Sequence, residues 1–272
     1  MQNFAGKVAV ITGAGSGIGR ALALDLAARG ARLALSDVDA ARAADTAAHA
    51  EKAGAEAKSY QLDVADRGAV LAHADEVAEH FGGVNLVVNN AGVAMTGTVE
   101  RLDFEQLEWI FGINFWGVVH GTKAFLPHLI SSGDGYLVNI SSVFGFISVP
   151  TQGAYNATKF AVRGFTEALR QEMIIAKHPV GVSCVHPGGI RTNIARDSRA
   201  TSGYDVKDLA RSFDRIARTS PETAAKVILR GVARRRPKIL IGADAYVVDA
   251  LPRILGPAYQ RVVMLAAKRG LV

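Results

Sequence analysis

One cysteine, Cys184, occurs in 272 residues. A lone thiol excludes an internal disulfide and suits a reducing compartment, so a cytoplasmic protein is expected. It lies in the apolar run "VGVSCVHPG", which favours a buried core thiol over a nucleophile. Long hydrophobic runs are also missing. No stretch of about 18 uncharged apolar residues occurs, so nothing is expected to span a membrane. The start, "MQNFAGKVAV", has no signal-peptide pattern, since Lys7 separates short apolar pieces and no cleavage site follows. Charge is spread thinly: 31 Lys and Arg against 25 Asp and Glu leave a formal +6, with no block of five or more like charges. The densest run, Arg234 to Arg236, reads as a solvated loop rather than a nucleic-acid patch. The 7 histidines are scattered, and no His/Cys/Asp cluster has ligand spacing, so no catalytic metal is expected. No G-x-S-x-G elbow marks a hydrolase.

What is present is an alternation of strand-like and helix-like runs in a chain that is 49% apolar and 21% charged, the mix of a soluble globular protein. Strands are expected at "KVAVITG" (from Lys7), "RLALSD" (from Arg32), "AKSYQLDV" (ending at Val64), "NLVVNNAG" (from Asn85), "GYLVNISS" (from Gly135), "VGVSCVHPG" (from Val180) and "PKILIG" (from Pro237). Between them lie helix formers with recognisable ends. Asp66 caps one helix, an Asp103-x-x-Gln106 capping box opens another through His120, and Ser220-Pro221-Glu222 opens a third. Strands apolar on both faces and separated by helices predict a doubly wound α/β domain, a Rossmann fold of seven parallel strands with helices on both faces. Residues 1–242 are expected to form this domain, with 189–219 as a mobile lid and 243–272 as a helical tail broken at Pro252 and Pro257.

The first strand runs into "TGAGSGIG", with Gly13, Gly15, Gly17 and Gly19 crowded before a helix. Such a turn lets backbone approach a pyrophosphate closely, and the helix N-terminus offers free N–H groups and a positive dipole end. Ser16 and Ile18 belong to the same turn. Asp37 closes the second strand eighteen residues past Gly19, where its carboxylate can accept from ribose hydroxyls and repel a 2′-phosphate. Neither Ser16 nor Val38 supplies a cation there, so NAD is favoured over NADP. Asp63, beside Val64, could meet the adenine amino group or simply turn the chain. A methyltransferase binding S-adenosylmethionine would also use a glycine turn and a second-strand acid, but it has no use for the downstream residues. Tyr155 and Lys159, four apart, share one helix face, and an ammonium beside a phenol lowers its pKa from about 10. Ser142 ends a strand just before them.

These pieces in this order resemble the short-chain dehydrogenase/reductase family: Thr12–Gly19, "NNAG" (Asn89–Gly92), Asn114, Ser142 with Tyr155 thirteen residues on, Tyr155-x-x-x-Lys159, and "HPGGIRT" (His186–Thr192). The match runs from about residue 7 to 242. The resemblance implies that Tyr155 is the general acid/base and that Ser142 holds the substrate oxygen. Lys159 would bind the nicotinamide ribose and lower the Tyr155 pKa. Asn114, in a disturbed helical turn, would hold a water linking Lys159 to solvent. Asn90 would brace the cofactor turn beside Ala91 and Gly92. Pro187, Gly188, Ile190 and Thr192 would carry the carboxamide end. A catalytically silent NAD(P)-binding sensor would lack part of the Ser–Tyr–Lys set.

The substrate pocket is expected to draw on Met95, Phe144, Phe146, Val149 and Gln152. Most are apolar, so a lipophilic secondary alcohol or ketone is favoured over sugars and acyl-carrier or CoA-linked substrates, although Arg196 or Arg199 could meet a charged group. His186 could edge the pocket or fill space. Phe115, Trp116, Val118, Val119, Phe160, Phe165 and Leu169 give two helices surplus apolar surface, which the resemblance pairs across a homodimer or homotetramer. The tail is read as packing on its own body or a neighbour, or as an amphipathic surface lying on a membrane.

Overall fold

Strand β1 (Val8–Thr12) alternates its side chains between two layers, Ala9 and Ile11 into one core cluster and Val8 and Val10 into another. A residue run apolar on both faces can satisfy only a sheet covered on both sides. After β1 come α1 (Gly17–Ala28), β2 (Arg32–Asp37), α2 (Ala40–Lys52), β3 (Ala57–Gln61), α3 (Arg67–Phe81), β4 (Leu86–Asn89) and the two-residue β5 (Met95–Thr96). Helix α4 (Phe104–Phe111) passes through a π-helical turn at Gly112–Trp116 into α5 (Gly117–Ser131). Then follow β6 (Gly135–Ile140), a 3-10 turn at Val143–Gly145, α6 (Gly153–Ile175), β7 (Val180–Pro187), β8 (Arg199–Ala200), α7 (Val206–Ile216), α8 (Pro221–Ala233), β9 (Lys238–Ile241), α9 (Ala243–Leu255) and α10 (Tyr259–Lys268). The computed structural model describes residue 1 and residues 3–269, so the end of the tail, 270–272, lies outside the described residues.

Seven strands pair in parallel in the order β3-β2-β1-β4-β6-β7-β9. The winding direction reverses between β1 and β4, which opens a crevice beyond their carboxyl ends. Thr12, Asp37, Asn89 and Pro187 each end a strand on that side.

Several expected boundaries move, each for a local reason. Strand β3 stops at Gln61 because Asp63 turns the chain, its Oδ1 accepting from the Ala65 N–H at 2.9 Å. The Asp103–Gln106 capping box is present, but the helix continues past His120 to Ser131 through the π-helical turn and holds Pro127. The 189–219 segment carries α7, and its β8 pairs Met95 with Arg199. In the tail, Pro252 lies inside α9; the break falls at Gly256–Ala258, where Gly256 turns with φ +51°. The tail packs on its own body through Val248, Leu251, Tyr259 and Val263 against Ile147 and Val149. Among the aromatic and aliphatic surplus, Val118 and Leu169 are buried, while Trp116 and Phe160 are exposed. No helix among the described residues is long and apolar enough to cross a membrane.

Candidate active site

The crevice begins at the glycine turn. A Cβ at Gly13 would stand 2.9 Å from the Ala91 Cα, and one at Gly19 would collide with the Gly13 carbonyl oxygen, so backbone alone fills this corner. The Thr12 hydroxyl accepts from the Asn90 and Ala91 N–H groups at 3.0 and 3.1 Å, while the Asn90 amide donates to the Thr12 and Gly13 carbonyls. These bonds fasten the end of β1 to the end of β4. At the N-terminus of α1, Ser16 makes no side-chain capping bond. The first-turn N–H groups are thus left for a ligand, the arrangement that accepts a phosphate. On the far side, Thr192 Cγ2 would stand 3.0 Å from a Cβ at Gly17, which brings the Pro187–Thr192 turn against the glycine turn. Gly92 leaves open the gap between Asn114 and Lys159. The backbone cradle, the uncapped helix end and Asp37 fit a nicotinamide dinucleotide.

Asp37 Oδ2 accepts from the Gly15 N–H at 2.9 Å and Oδ1 from Asp39 at 3.1 Å, which fixes the carboxylate's orientation. Asp63 is exposed and bonded to its own turn. Val64 turns its side chain against Gly117, and its carbonyl meets His120 Nδ1 at 3.0 Å.

Ser142 and Lys159 are buried and Tyr155 half-buried where β6 ends over α6. Ser142 Oγ accepts from the Phe144 N–H at 3.1 Å, and Lys159 Nζ donates to the Ile140 carbonyl at 3.2 Å. Asn114 sits in the π-helical turn, which widens the usual hydrogen-bond ladder. Its amide clamps Val93, accepting from the N–H at 2.8 Å and donating to the carbonyl at 2.9 Å. Lys159 Nζ lies 5.5 Å from the Tyr155 ring centre. The tyrosine's shift runs opposite to what a neighbouring ammonium alone dictates. Protein packed around the phenol pushes it up to about 12, with the Ser142 hydroxyl pulling the other way. Burial also draws Lys159 down to about 8. Both groups resist charge in this environment, so ionising the phenol requires added positive charge nearby.

The structure sorts the expected pocket residues. Met95 packs beside Tyr155, Ala154 and Ile110, and Phe144 meets the Tyr155 ring edge-on at 6.1 Å. Gln152 donates to Thr96 Oγ1 at 2.9 Å. Phe146 and Val149 are not brought to Tyr155. The 3-10 turn sends Phe146 flat onto His186, ring centres 4.1 Å apart, and Val149 goes under the tail. His186 is core filling, with Nδ1 3.1 Å from the Ser142 carbonyl, and burial lowers it to about 4. Cys184 is buried and its thiol raised to about 12. Arg196 pairs with Asp214 at 2.6 Å, and Arg199 lies over the Trp109 ring at 4.0 Å.

A doubly wound sheet with a glycine cradle at its switch point and a Ser–Tyr–Lys cluster beside it defines a nucleotide-dependent oxidoreductase. Residues 7–203 match the family model for short chain dehydrogenases, and the chain belongs to that family. It is 60% identical over 264 residues to the Mycobacterium tuberculosis protein named as oxidoreductase SadH, covering 97% of this chain and 96% of that one. A short chain dehydrogenase/reductase from Burkholderia phymatum, solved in complex with NAD, superposes with a TM-score of 0.88 at 35% identity, over 94% of this chain and 95% of that one. An alcohol dehydrogenase from the archaeon Thermococcus sibiricus, complexed with 5-hydroxy-NADP, superposes with a TM-score of 0.74 at 28% identity, over 86% and 95%.

Three residues at the site carry no sequence signal of their own. Thr12 was visible only as part of the glycine motif. Asp244, from α9, reaches back to accept from the Gly189 N–H at 2.8 Å, and a Cβ at Gly188 or Gly242 would collide with its carboxylate. Arg42, from the first turns of α2, stands beside Gly15 and Asp37.

Proposed function

We propose that the chain is an NAD-dependent oxidoreductase that interconverts a lipophilic secondary alcohol and its ketone, with Tyr155 as general acid/base. The observation that carries this reading is the meeting of Ser142, Tyr155 and Lys159 beside the glycine cradle at the carboxyl ends of the strands. When bound, the nicotinamide ring supplies the hydride acceptor or donor. The protein does the rest. Ser142 holds the substrate oxygen, and Tyr155 takes the hydroxyl proton during oxidation or gives it during reduction. Lys159 adds the positive charge that favours phenolate, and holding oxygen and cofactor in register contributes much of the rate. Asn114, in its π-helical turn, holds a water through which the proton reaches solvent.

Asp37, with two N–H groups fixing its carboxylate, supports NAD over NADP. Phe144 and the ring of Tyr155, both half-buried, give the site an apolar edge over the buried Met95, which supports a lipophilic substrate. Exposed Trp116 and Phe160 support pairing of two copies through the helices that carry them, as a dimer or a tetramer. The tail's outer face, with Val247, Ile254, Val262 and Leu265 exposed among Arg261, Lys268 and Arg269, supports contact with an anionic lipid surface. An NADH-fluorescence screen over alcohols and ketones of graded polarity, run with both cofactors, tests the reading. Turnover of apolar secondary alcohols with NAD is expected. NADH binding without turnover across the panel would point to a sensor and overturn it.

A further inference from the structure

We propose that Asp197, in the segment between β7 and α8, is a specificity residue for the cofactor: it ties up the Arg42 guanidinium and so denies a cation to a 2′-phosphate. The proposal rests on the reading of Asp37 as the ribose-binding acid.

Sequence alone shows no cation beside Asp37, because the two positions expected to supply one are Ser16 and Val38. Helix α2 returns one from five residues further on. A Cβ at Gly15 would stand 2.5 Å from the Arg42 Cβ and 2.9 Å from Asp37 Oδ2. Gly15, Asp37 and Arg42 therefore share one corner of the cradle. The guanidinium is already occupied there. Its Nη1 donates to Asp197 Oδ2 at 3.1 Å, and its Nε lies 3.2 Å from Asp39 Oδ2. Asp197 is free to do this because its neighbour Arg196 turns to Asp214. The Asp197 hydrogen bond is the largest of the contacts that raise Arg42 above its ordinary value.

The corner thus presents three carboxylates, Asp37, Asp39 and Asp197, against one guanidinium. Ribose hydroxyls can donate to such a site, whereas a phosphate dianion meets net negative charge. Both Arg42 and Asp197 are about half exposed, so the pair contributes little to stability and is cheap to break. Its value lies in where it keeps the guanidinium.

The consequence is a coupling that neither acid shows alone. Asp37→Ser removes the direct repulsion but leaves Arg42 tied to Asp197. Asp197→Asn frees the Nη1 end of the Arg42 guanidinium, with Nε still beside Asp39, but leaves Asp37 in place. Only the double variant offers a released cation to a 2′-phosphate. The test is NADH and NADPH affinity, read from fluorescence enhancement on the full chain, in Asp37→Ser, Asp197→Asn, the double variant, and the double variant carrying Arg42→Ala. NADPH affinity is expected to rise by about tenfold or more on adding Asp197→Asn to Asp37→Ser, and this gain is expected to vanish with Arg42→Ala. Trypsin digestion without cofactor gives a second readout. Asp197→Asn and Arg42→Ala should open the 189–219 segment to cleavage equally. An Asp197→Asn effect on NADPH that is absent, or that persists without Arg42, overturns the proposal. A wild-type preference for NADPH would instead overturn the NAD reading, while the coupling is still measured.

Discussion

Two histidines show what burial does to single residues. His73 lies edge-on to Tyr60 at 4.6 Å and to Phe125 at 5.9 Å, while His186 stacks on Phe146. Desolvation lowers each to about 4. The ordinary value is about 6.5, so between these limits the unfolded chain binds protons that the folded chain refuses. Their contribution is complete above about pH 6.5 and is lost as pH falls toward 4. The urea midpoint should therefore drop between pH 7 and 4.5, and His73→Leu, away from the site, should flatten that dependence by about one proton. An unchanged slope in His73→Leu would contradict the assignment. Tyr155 illustrates the same force with opposite sign. The lysine four residues on was legible in the sequence, but the dense surroundings that raise the phenol were not. Met95 and Phe144, which pack against the Tyr155 ring, come from two other segments.

At the scale of elements, the turns after β1, β4 and β7 converge because a parallel sheet puts every carboxyl end on one side. That is why the glycine motif, "NNAG", "ISS" and "HPGG" are legible in the sequence as parts of one site. The strands, most helices and the capping residues Asp66, Asp103 and Ser220 were legible for the same local reasons. Long-range closures were not. The carboxylate of Asp244 stands where a Cβ at Gly188 would be, and at Gly242 it adds to a backbone φ of +95° that already favours glycine; nothing local in the Gly188 stretch announces the clash. Gly188 has no left-handed backbone to protect, so the clash is the whole obstacle. Gly188→Ala should cost about 1–3 kcal/mol and weaken NADH binding. Asp244→Ala, which removes the colliding atoms, should restore much of the lost stability in the double variant. Thermal melts of the four proteins check this, and strictly additive losses would contradict it.

For the whole molecule, the tail has two faces. The inner one packs under Phe144 and Ile147 and ties the tail to the Pro187–Thr192 turn through Asp244. Removing the tail would therefore disturb the site, and a truncation could not isolate its surface. Ile254→Glu and Leu265→Glu change only the outer face, where both residues are exposed. The wild-type chain should float with phosphatidylglycerol-containing vesicles, and the double variant should not, with the melting temperature of both unchanged. Equal flotation would contradict a lipid role for that face.

The central claim is that Tyr155 moves the proton while the rest of the site binds and positions. The most direct measurement compares Tyr155→Phe with wild type for NADH affinity by fluorescence titration and for turnover of the best substrate from the alcohol and ketone panel. The expected result is unchanged NADH affinity with turnover lowered by about 10²–10⁴-fold. Near-normal turnover in the variant would contradict the claim.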